Sequence, residues 1–261
     1  MLTVVDIGNS NIVVAVHDGE RWVHSFRIYS DQKKTTDEYF VVLDRLISST
    51  DVPTGAINRA VISSVVPNLT RSMQKNIVRL FDVKPLMVTH SVETGLKRES
   101  IPPELGADLL ANVAQAHHLF PDRLVIVVDF GTALTLTTVD SDGSVLGAAI
   151  APGLVTAVNA LFGNTAQLPQ VQLSIPDTVI GRNSQDSIRS GIMYGYAGMV
   201  QSIIERTEAE VGKEAYVIAT GGLSKTIAPL IGRIDQVSQM HTLDGLRLIA
   251  DLNQLSSPTT R

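Results

Sequence analysis

Two stretches of the chain carry the same pattern of hydrophobic and polar positions. Residues 2–10 (LTVVDIGNS) and residues 125–133 (VIVVDFGTA) each place a β-branched run before an Asp-x-Gly turn and a small polar residue. Each is followed by a second apolar run and a turn signal, Asp18-Gly19 in the first copy and Asp142-Gly143 in the second. Runs of this kind separated by such turns are typical of β-hairpins. The pattern therefore predicts two similar hairpin units, one in each half of the chain.

Helical spacing alternates with further strands in both halves. In the first half, Thr35 and Glu38 have capping-box spacing ahead of a helix. The elements predicted after it are a strand at 60–64, a helix from Pro67 to about residue 80, a strand at 86–88 and a helix at 104–119. In the second half we expect strands near Val125 and Val145, a helix over 184–210, a strand at 215–219 and a helix from Asp244. Interleaved strands and helices indicate two α/β lobes. Because proline interrupts the helical pattern at residue 121, we assign residues 1–120 to the first lobe and 121–261 to the second.

Composition narrows the classes of protein that this chain can represent. Its 261 residues are 44% hydrophobic, which is enough for a substantial core, and its formal net charge of -5 argues against a nucleic-acid partner. The chain contains no cysteine, which excludes disulfides and thiolate chemistry. The first residues are expected to form a strand and not a signal peptide, and no run reaches the roughly 18 apolar residues of a membrane span. We therefore expect a cytoplasmic protein that does not bind membranes.

The first hairpin turn has the chemistry of a phosphate site. A glycine at position 8 lets backbone N–H groups approach a phosphate, and Asn9, Ser10 and Asn11 add neutral donors. Asp6 and Asp129 precede the two turns at equivalent positions, where they are expected to face one another across a cleft and hold a phosphate-bound Mg²⁺. The alternative is an ordinary hairpin turn, but two matching copies favour phosphate binding.

Three further positions are candidates for ligand contact or catalysis. Asp108 follows Gly106-Ala107 at the start of a predicted helix, where the positive end of the helix dipole keeps a carboxylate ionised, so it is a candidate general base. The alternative is a plain helix-terminal aspartate. Gly221-Gly222 follows a strand and either packs against adenine or ribose or forms a simple turn. Ser184 either caps the long helix or contacts a ligand. The six histidines lack zinc-site spacing.

Taken in order, these motifs and others resemble those of the type III pantothenate kinases along essentially the whole chain. The motifs that carry the resemblance are Asp6-x-Gly8-Asn9-Ser10-Asn11, Gly106-Ala107-Asp108, Asp129-x-Gly131-Thr132-Ala133, Ile150-Ala151-Pro152-Gly153, Thr165-Ala166-Gln167-Leu168-Pro169, Ile180-Gly181-Arg182-Asn183-Ser184 and Thr220-Gly221-Gly222.

The resemblance implies a fold, an activity and a set of ligands. The fold would be α/β, with two duplicated ribonuclease-H-like lobes of the actin-like ATPase type and a cleft between them. The activity would be ATP-dependent phosphorylation of pantothenate to 4'-phosphopantothenate, the first step of coenzyme A biosynthesis. It would require Mg²⁺ and a monovalent cation, K⁺ or NH₄⁺, in a homodimer with pantothenate bound near the subunit interface.

The resemblance also implies roles for individual residues. Asp108 would be the catalytic base, and Asp129, together with Asp6, would serve the metal ions. The nucleotide would contact Asp6, Ile7, Gly8, Asn9, Ser10, Asn11, Ile12, Val13, Thr132, Gly221 and Gly222. Pantothenate would contact Gly106, Ala107, Asp108, Leu109 and Ser184.

The chain departs from the family pattern around the acceptor site. Leu109 stands where the family normally has an arginine suited to the carboxylate of pantothenate, and residues 99–101 read Glu-Ser-Ile in place of the usual Tyr-Asp-Asn. One expected charged anchor is therefore missing. Two alternatives follow from this difference: a non-catalytic nucleotide-binding or regulatory homologue, and a kinase for another small alcohol.

Overall fold

The structure, a computed structural model, describes residues 1–163 and 171–253. Within these residues the strands are β1 Leu2–Ile7, β2 Asn11–His17, β3 Trp22–Tyr29, β4 Arg59–Ser64, β5 Leu86–Met87, β6 Leu124–Phe130, β7 Ala133–Val139, β8 Val145–Pro152, β9 Ala215–Thr220 and β10 Gln236–Val237. The helices are α1 Thr36–Ser48, α2 Pro67–Phe81, α3 Ala107–Leu119, α4 Leu154–Gly163, α5 Ser184–Val211, α6 Ser224–Ile227 and α7 His241–Leu252.

The chain forms two compact units, and the division falls within α3. The first contains Met1–Gln115 and the described residues from Thr242 onward. Its five-stranded sheet has the order β3-β2-β1-β4-β5, with β1 antiparallel to β2 and parallel to β4. Side chains of β1 and β2 form one hydrophobic core with the buried faces of α1 and α2. The central strand β1 thus has a main-chain partner on each side.

The second unit, Ala116–His241, repeats this plan. Its sheet has the order β10-β9-β6-β7-β8, with β6 antiparallel to β7 and parallel to β9. Alternate residues of β6 and β9 are buried against the long helix α5, whose inward positions include Met193, Val200 and Ile204. The strand order corresponds element by element to that of the first unit.

The observed topology is the ribonuclease-H-like one, a three-stranded antiparallel meander extended by parallel strands after a helical crossover. It occurs once in each unit. The predicted α/β fold with duplicated ribonuclease-H-like lobes is confirmed. The 120/121 division between the lobes stays a prediction.

Most predicted elements are present, and the capping box of α1 is confirmed, because the Thr35 side chain accepts from the Glu38 N–H while Glu38 accepts from the Thr35 N–H. Two helix starts were wrong by three residues. α3 begins at Ala107 and not at 104, since residues 102–105 form a turn closed by the Leu105 N–H to the Pro102 carbonyl. α7 begins at His241 and not at 244, and α4 was not predicted.

No helix among the residues that the structure describes is both long enough and apolar enough to span a bilayer.

Candidate functional site

The first turn, residues 8–10, joins β1 to β2 and is closed by its own backbone. The Gly8 N–H donates to the Asn11 carbonyl at 2.9 Å. The side chains of Ile7 and Ile12, on either side, are fully buried in the core, so only their backbone can face a ligand. Asn9 is exposed at the tip, and Ser10 is half-buried. The core thus fixes both ends of the turn and leaves its polar tip accessible.

Ser30, a residue that no sequence motif marks, stabilises this turn from its position directly after β3. Its hydroxyl donates to the Gly8 carbonyl at 2.6 Å, and its backbone N–H donates to the Ser10 carbonyl at 3.0 Å. The segment around Ser30 is itself held by the buried Tyr39, whose hydroxyl accepts from the Asp31 N–H at 2.7 Å. A serine 22 residues beyond Gly8 gives no local signal in the sequence.

The second turn has the same brace but a different length. The Gly131 N–H donates to the Ala133 carbonyl at 3.1 Å, so this turn is one residue shorter than the first. The brace comes from Gly153, whose N–H donates to the Thr132 carbonyl at 3.0 Å, as the Ser30 N–H does to Ser10. Thr156 adds a hydroxyl donor to the same carbonyl at 2.7 Å. The sequence echo therefore holds residue by residue only as far as the glycine of each turn.

Asp129 lies at the end of β6 among oxygen-bearing side chains. It pairs in register with Thr135 on β7 and with Thr220 on β9, and paired residues share one face of a sheet. The hydroxyls of Thr135 and Thr220 are buried and have no hydrogen-bond partner in the described part of the chain. A carboxylate flanked by unsatisfied hydroxyls suits a hard cation, which prefers oxygen ligands.

Gly221 packs directly against this aspartate. Its φ of +88° lies in the left-handed region, and a Cβ at this position would lie 2.5 Å from Asp129 Oδ1 and 2.7 Å from the Phe130 backbone. A side chain has no room there, so the close approach requires glycine. The contact gives Gly221 a structural role, while its predicted nucleotide contact, like that of the exposed Gly222, stays a prediction.

Asp6 has a comparable setting in the first unit. It pairs in register with Ser63 on the parallel strand β4, and the Ser63 hydroxyl is fully buried without a partner in the described residues. No group of three or more histidine, aspartate or glutamate side chains that could hold a metal occurs in residues 1–163 and 171–253. Sites built from one carboxylate suit Mg²⁺, which keeps phosphate and water oxygens as its other ligands.

Asp108 stands in the first turn of α3 with its carboxyl group folded back over Gly106. A Cβ on Gly106 would lie 2.5 Å from Asp108 Oδ1, and the same oxygen accepts from the Leu109 N–H at 2.8 Å. Burial raises the pKa of the Asp108 carboxyl above its ordinary value, although backbone hydrogen bonds act in the opposite direction. The carboxyl is therefore a stronger base than an exposed aspartate.

Within the first unit, Asp108 lies near the first turn. A Cβ on Gly106 would touch the Val65 side chain at 3.4 Å, and the Val65 N–H donates to the Ile7 carbonyl at 3.0 Å, one residue before the turn begins. Two residues, Gly106 and Val65, thus lie between the carboxyl of Asp108 and the strand end that leads into the first turn. In the second unit the structure brings Gly221 against Asp129, and Thr132 lies in the turn that follows.

Leu109 and Ser184 have local roles that the sequence left open. The Leu109 side chain is 8% exposed, so this position offers Asp108 a backbone N–H and presents no charged group. The cap of α5 is Asn183 and not Ser184, because Asn183 Oδ1 accepts from the Asp186 N–H at 2.9 Å. Ser184 is exposed instead and lines an open pocket of about 600 Å³ with Gly181, Arg182 and Ser187.

Among the motifs quoted above, residues 165–169 lie outside the described residues.

Comparison with known proteins extends the similarity over both units. A family model of type III pantothenate kinases matches residues 2–206. A type III pantothenate kinase from Geotalea daltonii is 39% identical over 260 residues, covering 98% of this chain and 100% of the relative, and one from Moorella thermoacetica is 41% identical over 254 residues, covering 97% and 100%. Among solved structures, an activator of 2-hydroxyisocaproyl-CoA dehydratase from Clostridium difficile, with bound ADPNP, has a TM-score of 0.55 at 16% identity, covering 96% of this chain and 92% of that one. This last likeness is one of fold.

The burial of Asp108 predicts a pH-dependent gain in stability when its charge is removed. The pKa of this carboxyl is higher in the folded than in the unfolded chain, so ionisation opposes folding as the pH rises through that interval. Asp108→Asn is expected to raise the melting temperature at about pH 7.5, and the gain should shrink toward about pH 4.5. Thermal unfolding of both proteins at the two pH values measures it. A gain of equal size at both would contradict the assigned cause.

The close packing of Gly221 against Asp129 predicts that adding a methyl group at position 221 lowers the stability of the fold. Gly221→Ala forces a side chain into the left-handed region and against the Phe130 backbone, and should lower the free energy of unfolding by about 2 to 4 kcal/mol. Gly232→Ala is the matched control, since a Cβ there meets nothing within 4 Å. Denaturant unfolding compares the two variants. Equal stabilities would show that the backbone around Gly221 shifts at little cost in free energy.

Proposed function

Because this chain belongs to the type III pantothenate kinase family, we propose that it transfers the γ-phosphoryl group of ATP to the 4'-hydroxyl of pantothenate. The product would be 4'-phosphopantothenate, the first intermediate on the route to coenzyme A, made in the cytoplasm. The observation that carries the proposal is the position of Asp108, a largely buried carboxyl with a raised pKa that lies over Gly106, the residue packed beside Val65 at the strand end before the first turn.

In the proposed reaction, Asp108 accepts the proton of the attacking hydroxyl. The hydroxyl oxygen forms a bond to the γ-phosphorus while the bond from that phosphorus to the β,γ-bridging oxygen breaks, and ADP leaves. The transition state is loose, so the protein contributes chiefly by positioning the reactants and by stabilising charge. The raised pKa of Asp108 suits this role, since a general base is most effective when its pKa lies near the working pH.

The first turn is the proposed phosphate site of the first unit. Its donors would be the side chains of Asn9, Ser10 and Asn11 and the turn's backbone N–H groups other than that of Gly8, which donates to the Asn11 carbonyl. Ser30 holds the turn in shape. Asp6 would hold Mg²⁺, which neutralises charge on the phosphates when bound. In the second unit we propose Thr132 and the Gly221-Gly222 backbone as nucleotide contacts.

A monovalent cation, K⁺ or NH₄⁺, is proposed at Asp129. The support is the pair of buried, unpartnered hydroxyls of Thr135 and Thr220 on either side of this carboxylate, which are oxygen ligands of the kind that K⁺ accepts. The same oxygen atoms can accept hydrogen bonds from NH₄⁺.

Pantothenate is proposed to contact Gly106, Ala107 and the backbone of Leu109 beside the base, with Ser184 as a further contact, since its hydroxyl takes no part in capping α5. A homodimer is proposed through the start of α5. Support comes from exposed apolar side chains beside it, Val179 at 65% and Ile180 at 80%, and from Gly191 and Gly195, which leave room for a neighbouring backbone.

Replacing the base tests the function. With ATP, Mg²⁺, K⁺ and pantothenate, Asp108→Asn should lower kcat by about 10²- to 10⁴-fold, since the amide cannot take the hydroxyl proton. ADP release measures turnover, and the affinity for ATP should change little because the first turn is intact. Asp44→Asn, an exposed aspartate on α1, is the control and should retain full activity. Pantothenate-dependent turnover that survives Asp108→Asn would refute Asp108 as the base.

Removing the Ser30 hydroxyl tests the first turn. Ser30→Ala deletes the 2.6 Å hydrogen bond to the Gly8 carbonyl, and the looser turn should raise KM for ATP by about 5- to 10-fold with a smaller change in kcat. Ser25→Ala, at an exposed position on β3, the strand that precedes Ser30, is the matched control. Steady-state kinetics with varied ATP gives both constants. An unchanged KM would mean that the turn does not depend on this brace.

A further inference from the structure

The helix that carries Asp108 is held by a helix from the other end of the first unit's sequence. A Cβ on Gly245 of α7 would lie 2.1 Å from the Ala111 carbonyl oxygen of α3 and 2.7 Å from its carbonyl carbon. One turn earlier on α7, the Thr242 hydroxyl donates to Asn112 Oδ1 at 2.8 Å. Residues three apart lie on the same face of a helix, so one face of α7 contacts α3 at two adjacent positions.

α7 is in turn tied to the sheet of the same unit. Asp244 accepts from Trp22 Nε1 at 2.8 Å, and Asp251 accepts from Arg59 at 2.7 Å. Trp22 begins β3 and Arg59 begins β4, and β4 is the direct neighbour of β1, which leads into the first turn. α7 therefore connects α3 to the same sheet that carries the proposed phosphate turn.

A displacement of α3 at this contact has little room to be absorbed locally. Residues 109–116 are all buried, and Ala111 and Asn112 are 0% and 1% exposed. Packed interiors transmit strain because they contain few voids. Ala111 is three residues beyond Asp108 on the same face of the helix, so a push at Ala111 is expected to reach the carboxyl group within one turn.

We propose that Gly245 and Thr242 are positioning residues that set the distance of Asp108 from the acceptor hydroxyl. The inference rests on the proposed function, because it assigns them to the base of that reaction. Gly245 lets α7 approach the α3 backbone without a side chain between them, and Thr242 fixes the register of the two helices. Neither residue touches the reactants.

Two variants of α7 test the proposal in the full-length protein. Gly245→Ala should lower kcat by about 10- to 100-fold while KM for ATP stays within about twofold, since displacement of the base by around an ångström impairs chemistry and leaves the first turn in place. Thr242→Val removes the hydroxyl at nearly constant shape and should lower kcat several-fold. Thr242→Ser keeps the hydroxyl and should retain the natural kcat. Gly55→Ala, where a Cβ meets nothing within 4 Å, is the control.

The outcomes separate a positioning role from a purely structural one. A purely structural contact would lower the melting temperature and leave the kcat of the folded enzyme unchanged, and this result would overturn the proposal. So would equal kcat values for Thr242→Val and Thr242→Ser, a comparison that decides the matter even if Gly245→Ala fails to fold. Asp108→Asn assayed in parallel distinguishes the two levels: if it abolishes turnover while the α7 variants are unaffected, only the positioning role is wrong.

Discussion

Each unit depends on a central strand that is hydrogen-bonded on both sides, antiparallel to the next strand along the chain and parallel to a strand that returns after a helix. In the first unit this strand is β1 and in the second it is β6. Parallel pairing brings the carboxyl ends of two strands to one edge of the sheet, so Asp6 lies beside Ser63 and Asp129 beside Thr220. The oxygen-rich ends of the central strands are therefore a consequence of the strand order, and the turns that follow them inherit a fixed position.

The two copies of this arrangement differ where their ligands are proposed to differ. The first turn is longer by one residue, and the Ser30 hydroxyl donates to the carbonyl of its glycine. In the second turn the Gly153 N–H and the Thr156 hydroxyl both donate to the Thr132 carbonyl, and Gly221 packs on the aspartate. A longer turn presents more backbone N–H groups and suits an extended phosphate chain. A tight turn beside a carboxylate and two hydroxyls suits a single small cation.

The sequence was sufficient to predict features that are local in the chain. The duplicated hairpins, the capping box at Thr35 and the long helix from Ser184 follow from spacing within about ten residues. The family resemblance added the fold and the ligand classes. Features fixed by contacts distant in sequence were missed: the brace from Ser30, and the grip of Gly245 on Ala111. Ser184 was a candidate cap because Asn183 and Ser184 are both good capping residues, and only the backbone conformation at Asn183 distinguishes them.

The way Asp108 is held bears on how basic it can be. A lysine or arginine paired with this carboxyl would position it well but would lower its pKa and weaken it as a base. The contacts that act on it are instead burial, which raises the pKa, and the Leu109 N–H, which opposes that rise only in part. The contacts of α7 with this helix, Gly245 against the Ala111 backbone and Thr242 to the Asn112 side chain, are uncharged, so the positioning proposed for them adds no positive charge near Asp108. Burial of the ionised carboxyl opposes folding, and the same burial raises its proton affinity, which is the property that the proposed role as a base requires.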